Sequence, residues 1–231
     1  QGCRELASEV SKSRIDENRV GNFTPETRLA AARQLALLSV VGNRPRIAKR
    51  FVADGTILRI QECYLSNESS WDNPEAQLLE TLDTALFARI SDFYLWSHRS
   101  YGEYLAAEHV QQTQMPLHQV QSLFINPSDP EQRVAPKLYE VAAWLAVMRQ
   151  DVMDWLLHSE PLILVKSNSI QLTDDQKFRL IEYFVQHYNT AAVIEERLDW
   201  RDFSQLNYPG LGAQLRTLLA DKRLSNSARD L

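Results

Sequence analysis

Glycine occurs only seven times in 231 residues and cysteine only twice. So little glycine leaves few positions free for left-handed backbone, which argues against a loop-rich or turn-dense fold. Two cysteines, Cys3 and Cys63, do not make a disulfide framework, and a reducing cytoplasm is the expected setting. Neither has a histidine near it in sequence, so both are read as inert thiols. There is no basic excess: the formal charge is −5, and a surface for nucleic-acid phosphates needs the opposite balance. The longest apolar run, residues 35–41, is broken by Ser39 and is far too short to span a bilayer, and the first residues show no signal-peptide pattern. Gly-x-x-x-x-Gly-Lys-Ser/Thr and Gly-x-Ser-x-Gly motifs are absent, as is a catalytic Cys/His motif. Histidines 98, 109, 118, 158 and 187 lack metal-ligand spacing. The chain is therefore read as non-catalytic and without a bound metal or cofactor of its own.

What is present is helix-forming sequence. A helix is expected over residues 2–12, then a polar stretch over 13–23. Thr24-Pro25-Glu26 opens a strong helix: a capping hydroxyl, a proline at the first helical position and an acid at the positive end of the dipole. It runs to Val40, and Gly42-Asn43 ends it. Pro74 starts a further helix through Leu86. Two β-type runs, 86–90 and 93–97, flank Ser91-Asp92 and predict a hairpin. Beyond residue 117 the pattern is paired helices, at 117–124, 137–147, 150–157, 174–188 and 210–219, with a loop at 126–136 carrying Pro127 and Pro130. Thr173-Asp174-Asp175-Gln176 is a capping box, and its acids belong to the helix start rather than to catalysis.

The most informative segment is residues 93–107, Phe-Tyr-Leu-Trp-Ser-His-Arg-Ser-Tyr-Gly-Glu-Tyr-Leu-Ala-Ala. A bulky β-type run meets a helix at His98, with Ser97 or Ser100 available as N-cap. Backbone fixed on both sides lets the imidazole be aimed. Either it donates to something outside the module or it bonds a backbone carbonyl within it. Arg99 either assists or is a solvated charge. Glu103 is expected to pair with Arg28 or Arg33 and so lock hairpin to helix. Tyr101, Tyr104 and Leu105 sit at core spacing, and Trp144 and Trp155 are expected to fill the core of the later helices.

Four stretches, in order, carry a resemblance. They are residues 28–36, Arg-Leu-Ala-Ala-Ala-Arg-Gln-Leu-Ala; residues 93–107; residues 141–146, Val-Ala-Ala-Trp-Leu-Ala, with Glu160-Pro161-Leu162-Ile163-Leu164; and residues 208–215, Tyr-Pro-Gly-Leu-Gly-Ala-Gln-Leu. Together they resemble the region that follows the nucleotide-binding core of NACHT-type STAND NTPases, notably bacterial immune sensors. The second stretch matches the family's Phe-x-His-x-x-x-x-Glu-Tyr/Phe-x-Ala-Ala signature at His98, Glu103, Tyr104, Ala106 and Ala107, while Leu95 or Trp96 stands where Phe or Tyr is frequent. Tyr208 replaces a frequent His.

The resemblance implies a mainly α fold, in which a winged-helix module with a small β-hairpin is followed by an α-helical bundle or the beginning of an α-solenoid. It implies the end of a preceding helical segment at 1–23, a winged-helix domain at 24–112 and a helical domain at 113–231 leading to helical repeats. The chain would then be a piece of a longer protein. His98, with Arg99, would reach the phosphates of bound nucleotide; ADP or ATP with magnesium would be held by an upstream core. Partners would be that core and the downstream repeats, with oligomerisation on activation and, in bacterial members, defence against phage. Glu103, Tyr104, Ala106, Ala107 and Trp144 would be structural. Two other readings remain: a helical protein-binding adaptor without nucleotide linkage, and a DNA-binding winged helix, which the acidic balance disfavours.

Overall fold

The computed structural model describes residues 2–9, 21–50, 53–65, 73–167, 169–188 and 204–220. The fold is mainly α, with eleven helices and a small mixed sheet of four strands among the described residues. In chain order these are α1 (Gly2–Ser8), α2 (Pro25–Ala36), β1 (Arg46–Ala48), β2 (Ile57–Arg59), α3 (Ile60–Leu65), α4 (Pro74–Leu82), β3 (Phe87–Ile90), β4 (Phe93–Trp96), α5 (Arg99–Gln112), α6 (Leu117–Phe124), α7 (Tyr139–Met148), α8 (Gln150–Ser159), α9 (Pro161–Lys166), α10 (Asp174–Tyr188) and α11 (Leu211–Leu219). Most of the expected polar stretch, residues 13–20, and the end of the first expected helix lie outside the described residues.

The capping chemistry read from the sequence at Thr24 is in place: Thr24 Oγ1 accepts from the Thr27 amide at 3.2 Å. The helix that Pro74 opens has a cap not read from the sequence, Asn73, whose Oδ1 accepts from the Ala76 amide at 3.1 Å. Thr173 and Gln176 close a reciprocal box, at 2.9 and 3.3 Å. The end of α2 differs from expectation. The helix widens into a π-type turn over Leu37–Val41, and the left-handed residue is Asn43, at φ 56°, not Gly42. Gly42 is needed for another reason: a Cβ there would collide with the Leu38 carbonyl oxygen.

The sheet has the order β2-β1-β4-β3. The predicted hairpin is β3–β4, and Ser91, at φ 55°, provides its tight reversal. β1 pairs antiparallel with β4 through Ile47↔Tyr94 and Ala48↔Phe93, and parallel with β2. Neither β1 nor β2 is foreseen from the sequence, because three residues are too short for alternation to register.

α5 is the buried axis of the molecule. It packs against α2 and the π-type turn on one side and α7 on the other. Leu105, Ala106, Ala107 and Val110 are fully buried on it. Among the described residues, nearly all the buried apolar side chains form one contiguous cluster, from Ala7 to Leu206.

One ion pair is buried within this frame. Arg28 and Glu80 lie 3.4 Å apart, with side chains 8% and 5% exposed. Glu80 also accepts from the Asn22 and Phe23 amides, and Arg28 donates to the Phe23 and Ala7 carbonyls. The pair thus ties α1, the run into α2, α2 itself and α4. Glu80→Ala strands a buried guanidinium and two amides, so urea unfolding should show a loss of about 3–5 kcal/mol. A loss under about 1 kcal/mol, as for a solvated pair, would show that the network is not stabilising.

Candidate functional site

The strand-to-helix junction places its own histidine as the N-cap. His98 is extended, at φ −140° and ψ 136°, and its Nδ1 accepts from the Ser100 amide at 3.3 Å. The Ser100 hydroxyl lies 2.6 Å from the same nitrogen. This corrects the expectation that Ser97 or Ser100 caps α5. Ser97 is committed elsewhere: its amide donates to the Leu86 carbonyl at 2.8 Å and its hydroxyl to the Ala85 carbonyl at 2.9 Å. An Nδ1 that accepts puts the neutral ring's proton on Nε2. His98 is exposed, its ring lies 5.7 Å from that of Tyr101, and Nε2 has no partner among the described residues. A donor is therefore held at a fixed place at the surface.

Arg99 and Glu103 pair with each other, Nε to Oε1 at 2.6 Å. This corrects the expected partnership of Glu103 with Arg28 or Arg33. Arg28 is taken by Glu80, and Arg33 reaches Glu108 across α2 and α5 at 2.5 Å. The Arg99–Glu103 pair is lopsided, with side chains 71% and 5% exposed. Burial pushes the Glu103 carboxyl above its ordinary range. Arg99 opposes that from its solvated position, nearby Glu140 adds to the rise and His98 opposes it. Arg99 also donates through Nη2 to the Lys137 carbonyl at 3.2 Å, joining α5 to the turn before α7.

The remaining residues of the segment are structural. The Tyr104 hydroxyl donates to Glu108 at 3.3 Å, and its ring meets Trp144 edge-on, with centroids 5.2 Å apart. Ala106 and Ala107 are fully buried, and small side chains there let α5 approach its neighbours closely. Gly102 is equally constrained, since a Cβ would lie 2.9 Å from Trp96 Nε1. That indole donates to Ser39 Oγ in the π-type turn at 3.1 Å and stacks obliquely on Phe87 at 4.3 Å. Trp144 and Trp155 are partly buried against the core, and Trp144 Nε1 is buried without a partner.

The segment therefore splits into an outward-facing pair, His98 and Arg99, and an inward-facing set from Gly102 to Ala107. Sequence reading misses the Ser39–Trp96 hydrogen bond, and it misses Lys137. Lys137 lies 38 residues from Arg99, and only the fold brings them together. Cys63 is buried and its thiol is pushed up to about 12, chiefly by burial; Cys3 is raised for the same reason. Among the described residues no group of three or more His, Cys, Asp or Glu could hold a metal, and no helix is long and apolar enough to cross a membrane. Compared with known proteins, the chain matches no family model, no curated protein and no solved structure.

The raised Glu103 carboxyl has a measurable consequence. The folded chain keeps this proton at pH values where the unfolded chain has released it. Its contribution to stability is thus fully present below the unfolded value and falls as pH rises through the folded one. Glu103→Gln cannot ionise. In urea unfolding from about pH 4 to pH 7, the carboxylate range and above, its stability should decline less with rising pH than the parent chain's. Identical slopes would mean that Glu103 titrates alike folded and unfolded.

Proposed function

We propose that this chain is the regulatory, non-catalytic region of a NACHT-type STAND NTPase, a winged helix followed by a helical domain. It links the identity of a nucleotide held by an upstream core to the position of this module. The reading rests above all on His98. The ring spends one nitrogen on capping α5 and offers the other, as N–H, to the surface. A donor so held can meet a phosphate oxygen without an entropic cost of ordering the side chain. Such a contact biases the module only if it differs between nucleotide states. A phosphate present in one state and absent or displaced in the other supplies that difference.

The winged-helix part of the reading draws on the sheet. A hairpin, β3–β4, pairs through its second strand with a strand that follows α2, and α4 leads directly into the hairpin. α4 carries Glu75 and Glu80 and no lysine or arginine. That disfavours DNA as its partner, since phosphate contacts need cations.

The test uses the full-length protein with its nucleotide-binding core. Asparagine caps helices well but lacks the Nε2 donor. His98→Asn should leave thermal unfolding near that of the parent while ADP dissociates about tenfold faster, the loss of one hydrogen bond to a charged group. Basal activity should rise in step. Unchanged ADP dissociation and unchanged basal activity would remove His98 from the switch.

A further inference from the structure

Beside Arg99 a cleft of about 330 Å³ opens where β1 and β4 part. Their pairing stops at Ile47 and Tyr94. Beyond that point Pro45 forms one wall and Leu95 and Trp96 form another, with Val40 of the π-type turn behind them. Arg99 and Lys137 line the same cleft; His98 does not. The walls are fixed in advance. The Trp96 indole is bonded to Ser39 Oγ, packed on Phe87 and backed by Gly102.

The donors left over define the ligand. Arg99 uses Nε on Glu103 and Nη2 on the Lys137 carbonyl, which leaves Nη1. The Lys137 ammonium has no hydrogen-bond or ion-pair partner among the described residues. The amides a phosphate would seek at the start of α5 are spent: Ser100's on His98 Nδ1 and Tyr101's on the His98 carbonyl, at 3.1 Å. One guanidinium nitrogen and one ammonium are two charged donors, which match the two oxygens of a carboxylate and would leave a third phosphoryl oxygen unmet. The mainly apolar walls suit a hydrocarbon neighbour on the same ligand. A carboxylate beside an aliphatic group describes an acidic peptide segment.

We propose that the cleft docks an acidic segment of a protein partner, with an Asp or Glu side chain between Arg99 and Lys137 and the adjoining apolar side chain against Trp96. This goes beyond the nucleotide reading and does not depend on it: that reading is tested at His98, which lies outside the cleft, and this one at Lys137, so either can fail alone.

The probe is acetyl-Ala-Leu-Glu-Leu-Ala-amide, titrated into the ¹⁵N-labelled 231-residue chain, with its Gln counterpart and inorganic phosphate as separate arms. The readout is the Trp96 indole N–H signal, identified by its loss in Trp96→Phe. The Glu peptide should move this signal saturably at millimolar concentration, and the Gln peptide should bind about tenfold more weakly, the loss expected for a charge-assisted hydrogen bond. Lys137→Gln leaves the Arg99–Glu103 pair intact and should weaken the Glu peptide by a similar factor. The proposal is overturned if the Glu peptide moves nothing, if the Gln peptide binds equally, or if Lys137→Gln binds like the parent. Phosphate moving the signal where the Glu peptide does not would also overturn it, and would identify a simple anion site.

Discussion

Everything around the candidate site hangs on how closely other elements approach α5. Gly102, Ala106 and Ala107 keep its packed faces shallow, so α2, α7 and the indole of Trp96 can all lie against one fourteen-residue helix. Close packing of this kind leaves no slack for added atoms. It also explains why the most distinctive segment of the chain mixes two vocabularies. The small residues serve contact between backbones, while the polar ones at its start face outward. Were the axis less tightly held, the cap at its N-terminus would wander, and with it every group measured from that cap.

The junction makes local structure and surface chemistry share one side chain. A serine or asparagine cap would hold α5 equally well, but would leave no second donor on the same ring. Histidine combines the two because its nitrogens lie on one rigid ring. The cap bond needs the Nδ1 lone pair. Protonating that nitrogen would make the ring cationic and release the Ser100 amide in the same event. The neutral ring is therefore the form that both caps and donates.

Much of the fold is written in short-range chemistry. Thr24-Pro25, Pro74 and Thr173–Gln176 mark helix starts because capping and the first helical position are decided within four residues. The hairpin and the later helices follow from periodicity. What the sequence conceals is decided by distance along the chain. β1 and β2 are three residues each, and their pairing is stabilised by partners elsewhere. α9, right behind α8, is missed because the six residues from Pro161 are too few for a helical period to register. The sequence suggests an arginine on α2 as the partner of Glu103, yet the nearer Arg99, one turn back on its own helix, takes it, while Arg33 pairs with Glu108. At the site, His98 was legible because it interrupts a pattern. Lys137 was not, because nothing local distinguishes it from any solvated lysine.

The π-type turn at the end of α2 places one further demand on the molecule. It holds one residue more than an α-helical turn would, and Ser39 meets the Trp96 indole from within it. Each residue of a helix turns the chain by about 100°. Length at this point is therefore a directional setting. A one-residue deletion would restore regular helix, swing Ser39 away from the indole and aim Pro45 and β1 along a different line. Elsewhere a surface turn can gain or lose a residue with little effect. Here the count itself is part of the architecture, and related chains that keep the cleft should keep the number of residues between α2 and β1.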